Sequence, residues 1–311
     1  MTELLFDDAA LPANHRSGFI AVVGRPNAGK STLMNAYLGQ KIAIVSPKAQ
    51  TTRNRLLGIL TMPEAQLIFV DTPGIHSPHH PFGEYMVKVA RQAIPNADLV
   101  LWLADGTAPP TPEDRLVVEA ILAANEPPPV ILALNKIDRL NPQTVHPRLQ
   151  QFVALLQPQL AVPISALRGD NRAKLLQAMI DRLPPGPRFF PADQITDQQT
   201  RFIAAELVRE AALKVLRQEV PHALAIVVQQ FTRRPNNITY IAANLFVERE
   251  SQKGIVIGGK GKTLKQIGQL ARPQIEDLVQ SGVYLDLRVK VRPKWRRKKD
   301  GLNELGYSPG S

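Results

Sequence analysis

Gly24-Arg25-Pro26-Asn27-Ala28-Gly29-Lys30-Ser31 follows directly on an apolar run, Phe19 to Val23, and that junction decides the fold of the first half of the chain. The stretch satisfies G-x-x-x-x-G-K-[ST]. In that motif backbone N–H groups at a helix N-terminus wrap phosphates, the lysine bridges phosphate oxygens, and the serine hydroxyl reaches Mg²⁺. Four further apolar runs follow: Leu67 to Val70, Leu99 to Leu103, Val130 to Leu134 and Ala161 to Ile164. None alternates with polar residues, so each reads as a strand buried on both faces, and the spacing leaves room for crossover helices. The pattern predicts a doubly wound α/β domain with a mostly parallel sheet.

The nucleotide base is read from Asn135-Lys136-Ile137-Asp138, at the end of the fourth run. A carboxylate at Asp138 can accept from both N1–H and the exocyclic amine of guanine, a donor pair that adenine lacks. Asp71-Thr72-Pro73-Gly74 follows the second run. Asp71 suits the hydration shell of Mg²⁺ and the Gly74 N–H suits a γ-phosphate sensor. Ser165-Ala166-Leu167 after the fifth run offers backbone to the guanine oxygen. The polar stretch Ala49-Gln50-Thr51-Thr52-Arg53-Asn54 offers a threonine to Mg²⁺ when a γ-phosphate is present, and the residues alone do not choose between Thr51 and Thr52.

These five elements, in this order, resemble the motifs of the translation-factor-like GTPases and, among them, the Era family, over nearly the whole chain. The resemblance makes Gly24 to Ser31 the phosphate loop, Gln50 to Asn54 the first switch and Asp71 to Gly74 the second. It makes Asn135 to Asp138 the guanine reader and Ser165 to Leu167 the fifth motif. It implies GTP and GDP as ligands, with Mg²⁺ on Ser31, Thr52 and Asp71, and Lys30, Thr52, Asp71, Gly74 and Asn27 as the groups acting at the reacting phosphates. Ile75 stands where Ras-like enzymes carry the glutamine that orients water, so slow intrinsic hydrolysis is expected. Related potassium-activated GTPases place an asparagine where Asn27 stands, which implies a K⁺ there; an exposed asparagine with no ion is the alternative.

Leu183-Pro184-Pro185-Gly186-Pro187 interrupts any regular element and marks a boundary. The reading divides the chain into an N-terminal extension (1–16), a G domain (17–185), a linker (186–199), a second domain (200–293) and a basic tail (294–311). In the second domain Thr200 to Gln218 reads as a helix. His222 to Thr232 and Ile238 to Arg249 read as strands around Pro235-Asn236-Asn237, and Val283 to Val291 as a last strand. Between them lie helical segments on both sides of Gly258-Gly259-Lys260-Gly261. A G-x-x-G loop between helices lets a nucleic-acid backbone approach, with Lys260, Lys262 and Lys265 and a helix dipole supplying positive potential. The αββααβ order resembles an α+β type II KH domain. Ile257 lines the apolar approach to the loop, and Ile255 to Ile257 read equally as groove or core. Lys294-Trp295-Arg296-Arg297-Lys298-Lys299 puts an aromatic inside a basic run, suited to base stacking by Trp295 and phosphate contact by Arg296 and Arg297. A solvated charged end or an anionic membrane surface are the alternatives.

The charge of +11 is uneven: +2 on residues 1–185 and +9 on 186–311. The excess favours a polyanionic partner for the second half. Cysteine is absent, which excludes disulfides and thiolate sites, and the six histidines, His79 and His80 among them, show no ligand spacing. No run has signal-peptide or membrane-span character, so a cytoplasmic protein is expected, with peripheral contact at the cytoplasmic face of the membrane kept open for the tail. The resemblance implies a GTP-hydrolysing switch that binds the 3′ end of small-subunit (16S) ribosomal RNA and the pre-30S particle and acts in small-subunit assembly; no oligomer signal is visible in the sequence, so a monomer is the default expectation. The alternatives are a membrane-associated signalling GTPase and an RNA-tethering module with incidental GTP turnover.

Overall fold

A computed structural model describes residues 11–46, 48, 51–78 and 80–307. The terminal residues, Ala49 and Gln50 of the first-switch stretch, and His79 lie outside the described residues. The chain forms two compact units. One is built from residues up to Ala43, Thr52–Pro78 and Met86–Asp197; the other from Ile44–Thr51, His79–Tyr85 and Gln198 onward.

The first unit is a six-stranded sheet flanked by helices. Its strands are β1 (Arg16–Val23), β2 (Leu56–Thr61), β3 (Ala65–Asp71), β4 (Leu99–Asp105), β5 (Val130–Asn135) and β6 (Leu160–Pro163), in the order β2-β3-β1-β4-β5-β6. Only β2, paired with β3, is antiparallel. The five apolar runs all lie in or overlap strands, and β3, β4 and β5 are buried at every residue, as strands covered on both faces require. The sequence reading missed β2, because Gly58 interrupts a short Leu/Ile stretch directly after the polar switch segment. The helices are α1 (Lys30–Leu38), α2 (Pro81–Ala93, which belongs to this unit from Met86), α3 (Pro112–Leu122), α4 (Pro142–Leu156) and α5 (Arg172–Ile180). α3 starts on a capping box in which Thr111 and Asp114 satisfy each other's backbone N–H groups.

The stretch read as a linker is fastened to this unit. Gln66 in β3 donates to the Phe190 carbonyl and accepts from the Phe189 and Phe190 N–H groups. Along the edge strand, the Ile59 N–H donates to Ile195 O (2.9 Å) and the Leu57 N–H to Asp197 Oδ1 (3.2 Å).

The second unit contains α6 (Thr200–Val215), β7 (Ala225–Arg233), β8 (Ile238–Val247), α7 (Glu250–Ile257), α8 (Lys262–Val279), β9 (Gly282–Val291) and α9 (Lys299–Glu304). The sheet order is β7-β8-β9, with β7 and β8 antiparallel and β8 and β9 parallel. The αββααβ order holds. α6 ends three residues earlier than expected, and a 3₁₀ turn, Val220–Ala223, replaces the start of the expected β7.

Candidate nucleotide site and nucleic-acid interface

The phosphate loop lies between the C-terminal end of β1 and the first turn of α1, where an open parallel sheet places its ligand. Gly29 has φ 102°, and a Cβ there would lie 2.3 Å from Asn135 Nδ2, so only glycine fits. The close approach has a purpose. The buried Asn135 side chain donates to Ala28 O (2.8 Å) and accepts from the Ala166 N–H (2.8 Å), joining the phosphate loop, the guanine reader and the fifth motif through one amide. Ser165 is fully buried and donates to Asp138 Oδ1 (2.6 Å), which holds the carboxylate in place for a base edge. Ala166 is buried, whereas Leu167 is 72% exposed. Lys136 adopts φ 67° and donates to Asp105 Oδ2 (2.7 Å); Ile137 N–H donates to Ile164 O (3.2 Å).

Ser31, Thr52 and Asp71 converge. Ser31 Oγ donates to Asp71 Oδ2 (2.7 Å), Thr52 Oγ1 donates to the same oxygen (3.2 Å), and the two hydroxyls are 3.0 Å apart. Asp71 is wholly buried and its Oδ1 has no hydrogen-bond partner. Burial raises its pKa, against the opposing pull of Lys30 and the hydroxyls. A buried carboxylate with an orphaned oxygen beside two hydroxyls fits a hard divalent cation that takes oxygen ligands, so these residues fit Mg²⁺. Lys30 is buried as well, and burial lowers its pKa to about 8 although Asp71 opposes the shift. Its ammonium group donates to the Gly24 and Arg25 carbonyls, both at 3.2 Å.

The second switch is closed on the phosphate loop. Ile75 N–H donates to Gly24 O (3.1 Å), and a Cβ on Gly74 would lie 2.5 Å from Pro26 N. Thr72 Oγ1 donates to Val22 O (2.8 Å), and Pro73 continues the turn. Ile75 is fully buried and presents no polar group to water. Asn27 is exposed in a left-handed conformation, φ 62°.

Sequence reasoning passed over a charged brace beneath the loop. Arg25 pairs with Asp105 (3.3 Å) and approaches Asp114 (3.6 Å), while Lys136 also pairs with Asp105. Burial works to raise the Asp105 pKa, but hydrogen bonds from Lys136 and Thr107 outweigh it and the net shift is downward. The available signal was an aspartate at the end of a buried strand, directly before Gly106. A second omission concerns the flank of the first switch. In the second unit, Lys48 Nζ donates to the Leu213 and Leu216 carbonyls at the end of α6, and the buried Arg209 of α6 donates to Thr51 O and pairs with Glu206. The expected Thr52 is the next residue along the chain.

The G-x-x-G loop joins α7 to α8. Gly258 takes φ 70°, where a Cβ would lie 2.1 Å from Thr263 Oγ1, and its N–H donates to Gly254 O (2.8 Å). Gly259 and Gly261 face open space. Lys260, Lys262 and Lys265 are exposed at the N-terminal end of α8, where the helix dipole adds to their charge. The groove-or-core question resolves by residue: Val256 is fully buried, Ile257 is half-buried and Ile255 is 50% exposed.

The tail reading is corrected. Trp295 has no exposed surface, its Nε1 donates to Ala223 O (2.9 Å), and its ring packs against Phe82 and Tyr307 at 5.3 and 5.6 Å, so no face is open for base stacking. Arg296 pairs with Glu248; Arg297 is exposed. Residues 299–304 form α9, while Lys294, Arg297 and Lys298 are exposed.

Residues 19–136 match the protein-family model described as a 50S ribosome-binding GTPase, and residues 219–296 match the KH domain model. The GTPase Era of a Nostoc species is 49% identical over 298 residues, covering 95% of this chain and 91% of that protein. That of a Synechocystis species is also 49% identical over 298 residues, covering 95% and 94%. A crystal structure of Era with MgGDPNP and nucleotides 1506–1542 of 16S ribosomal RNA superposes with a TM-score of 0.90 at 40% identity, covering 94% of this chain and 99% of that one. A crystal structure of a variant Aquifex aeolicus Era bound to GDP·AlF4⁻ gives 0.90 at 41% identity. Half the residues are shared along nearly the full length of both partners, with the nucleotide domain and the KH domain in the same order, and the chain belongs to the Era family of GTPases.

Proposed function

We propose that the chain is a GTP-hydrolysing switch that binds the 3′ end of small-subunit ribosomal RNA through its KH domain and acts in assembly of the small subunit. The convergence of Ser31 and Thr52 on the buried Asp71 carries the reading: it is a built Mg²⁺–triphosphate site in a chain that also presents a G-x-x-G loop. In support stands the relative solved with MgGDPNP and the 3′-terminal 16S segment.

The phosphate-loop N–H groups and Lys30 hold the β- and γ-phosphates, the Gly74 N–H reads the γ-phosphate, and Asp138, steadied by Ser165, selects guanine. Mg²⁺, held by Ser31, Thr52 and Asp71, would offset charge on the phosphate oxygens. A buried isoleucine at position 75 leaves no side chain there to orient water, so turnover by the chain alone is slow. K⁺ at Asn27 would supply the missing positive charge at the transition state. Lys260, Lys262 and Lys265 engage the RNA backbone at the loop. A role in ribosome assembly puts the proposed site of action in the cytoplasm, and the reading takes the chain as a monomer.

Ile75 also favours a second reading, an RNA-tethering module whose GTP is structural. Hydrolysis measured in KCl and in NaCl, with and without 16S 3′-end RNA, separates the two. Stimulation by K⁺ and RNA together, lost in Asn27→Ala for the K⁺ part, is expected of the switch. Turnover indifferent to both would leave the tethering module. Peripheral membrane contact through the exposed Arg297 and Lys298 predicts vesicle binding that a chain cut before residue 294 loses.

A further inference from the structure

The sheet of the second unit has an exposed face that the nucleotide and loop chemistry do not use. β9 alternates strictly from Val283 to Lys290: Val283, Leu285, Leu287 and Val289 lie on one face and Tyr284, Asp286, Arg288 and Lys290 on the other. The first set faces the helices, since Val283 is buried and Leu287 lies against Gly268 of α8. The parallel register puts Tyr240 of β8 beside Tyr284, and the rings stack with centroids 5.8 Å apart and planes at 22°.

The Arg234 guanidinium lies 4.6 Å from the Tyr240 ring centroid. Guanidinium and two rings thus form a short ladder ending on Tyr284, which is 59% exposed, an unusual position for a large ring in a sheet that already has one covered face. The charge beside it is cationic. The Arg288 side chain is 68% exposed and pairs with Asp286 (2.9 Å), which also accepts from Tyr240 OH (3.2 Å), and Lys290 is exposed two residues on. Arg288 and Lys290 stand about 6.6 Å apart along the strand by its geometry. Across the sheet Gln230 and Thr232 are exposed amide and hydroxyl groups, with Thr232 opposite Tyr240.

We propose that this face is a second RNA-binding surface. It takes an unpaired segment, with a base stacked on the open ring of Tyr284 and phosphates on Arg288 and Lys290. An aromatic platform with flanking cations is the chemistry of single-strand binding; the lone acid, Asp286, is already held by Arg288 and Tyr240 and does not repel the strand. Stacked rings flanked by cations match a base with its phosphates, and vesicle binding through Tyr284 is the outcome that would assign the face to membrane instead. The proposal rests on the chain being an RNA binder, and its test separates the two ideas.

The full-length chain with a GTP analogue is titrated with RNA of 16S nucleotides 1506–1542 and with a short single strand that fills only the loop groove, about four nucleotides. Tyr284→Ala is expected to weaken the long RNA about tenfold and leave the short one unchanged. Tyr284→Phe should bind like wild type, since stacking needs no hydroxyl. Arg288→Gln with Lys290→Gln should lower the salt slope of long-RNA binding by about 1.4. Unchanged thermal melts of these variants exclude unfolding, as expected for exposed positions. If Tyr284→Ala and the double variant bind the long RNA at wild-type strength while Gly259→Asp abolishes binding, the second surface is wrong and the loop reading stands. If Gly259→Asp binds the long RNA normally as well, the loop reading fails too, and a wild-type chain that binds neither RNA overturns the RNA reading itself. Sedimentation with phosphatidylglycerol vesicles that depends on Tyr284 while RNA binding does not would assign the face to membrane and overturn the proposal.

Discussion

At the residue scale, two side chains make sharp predictions. Asp138 is fixed by the Ser165 hydroxyl at 2.6 Å, and on the proposed function its carboxylate would accept from two guanine donors. Asp138→Asn replaces an acceptor with an amide donor, and loss of two charge-assisted hydrogen bonds at about 1.5–3 kcal/mol each predicts a fall in GTP affinity of at least about a hundredfold. Xanthosine triphosphate, which carries a carbonyl where guanine has its amine, should gain; competition against a fluorescent nucleotide measures both. Lys30 predicts a pH dependence. With its pKa lowered to about 8 in the nucleotide-free chain, it is charged below that pH, and phosphate oxygens raise the pKa again on binding. Affinity is therefore full below about pH 8 and falls as pH rises through the window between the free and bound values, by up to about tenfold per unit. Binding above pH 8 takes up a proton, which calorimetry in buffers of different ionisation enthalpy detects. Lys30→Arg should flatten the profile, because a guanidinium does not titrate there.

At the scale of elements, the proposed coupling of nucleotide state to RNA binding would run through the first-switch stretch. Lys48 and Thr51 are held by the end of α6 and by Arg209, so a switch that orders Thr52 on GTP acts on a segment already fastened two ways. Lys48→Ala should leave GTP affinity within about threefold while reducing the ratio of RNA affinities in the GTP-analogue and GDP states toward one. An unchanged ratio in filter binding would show that α6 does not carry the coupling. Neither contact was legible in the sequence, since a lysine in a polar loop and one arginine among the charges of an amphipathic helix carry no mark of each other. What was legible shares one property: local repetition. Five apolar strands, three of them buried at every residue, a phosphate loop at a strand–helix junction and an αββααβ order are all written in short windows. β2 was lost because Gly58 and a neighbouring switch blur its window. Trp295 was misread because a basic neighbourhood says nothing about the pocket formed by Phe82, Ala223 and Tyr307, residues distant in the chain.

At the scale of the whole molecule, the second unit is not one contiguous piece. It includes Ile44–Thr51 and His79–Tyr85 besides Gln198 onward, and its aromatic cluster joins Phe82 to Trp295 and to Tyr307 at 4.8 Å. A fragment 198–307 lacks Phe82 and Tyr85 and leaves Trp295 with Tyr307 on one side and no Phe82 ring against its other edge. Removing a buried phenylalanine costs about 3–5 kcal/mol, so the fragment should melt well below the same unit in the full chain and show weakened near-ultraviolet dichroism. An undiminished melting temperature would mean that the cluster is dispensable. The sheet of the first unit carries a different kind of dependence. Its edge strand β2 would present open N–H groups to any other extended chain, and Ile195 and Asp197 occupy two of them. The segment between the domains therefore also works as a selvedge: nicking it by proteolysis should turn a well-behaved protein into one that self-associates through that edge, a route to aggregation that begins with no loss of core.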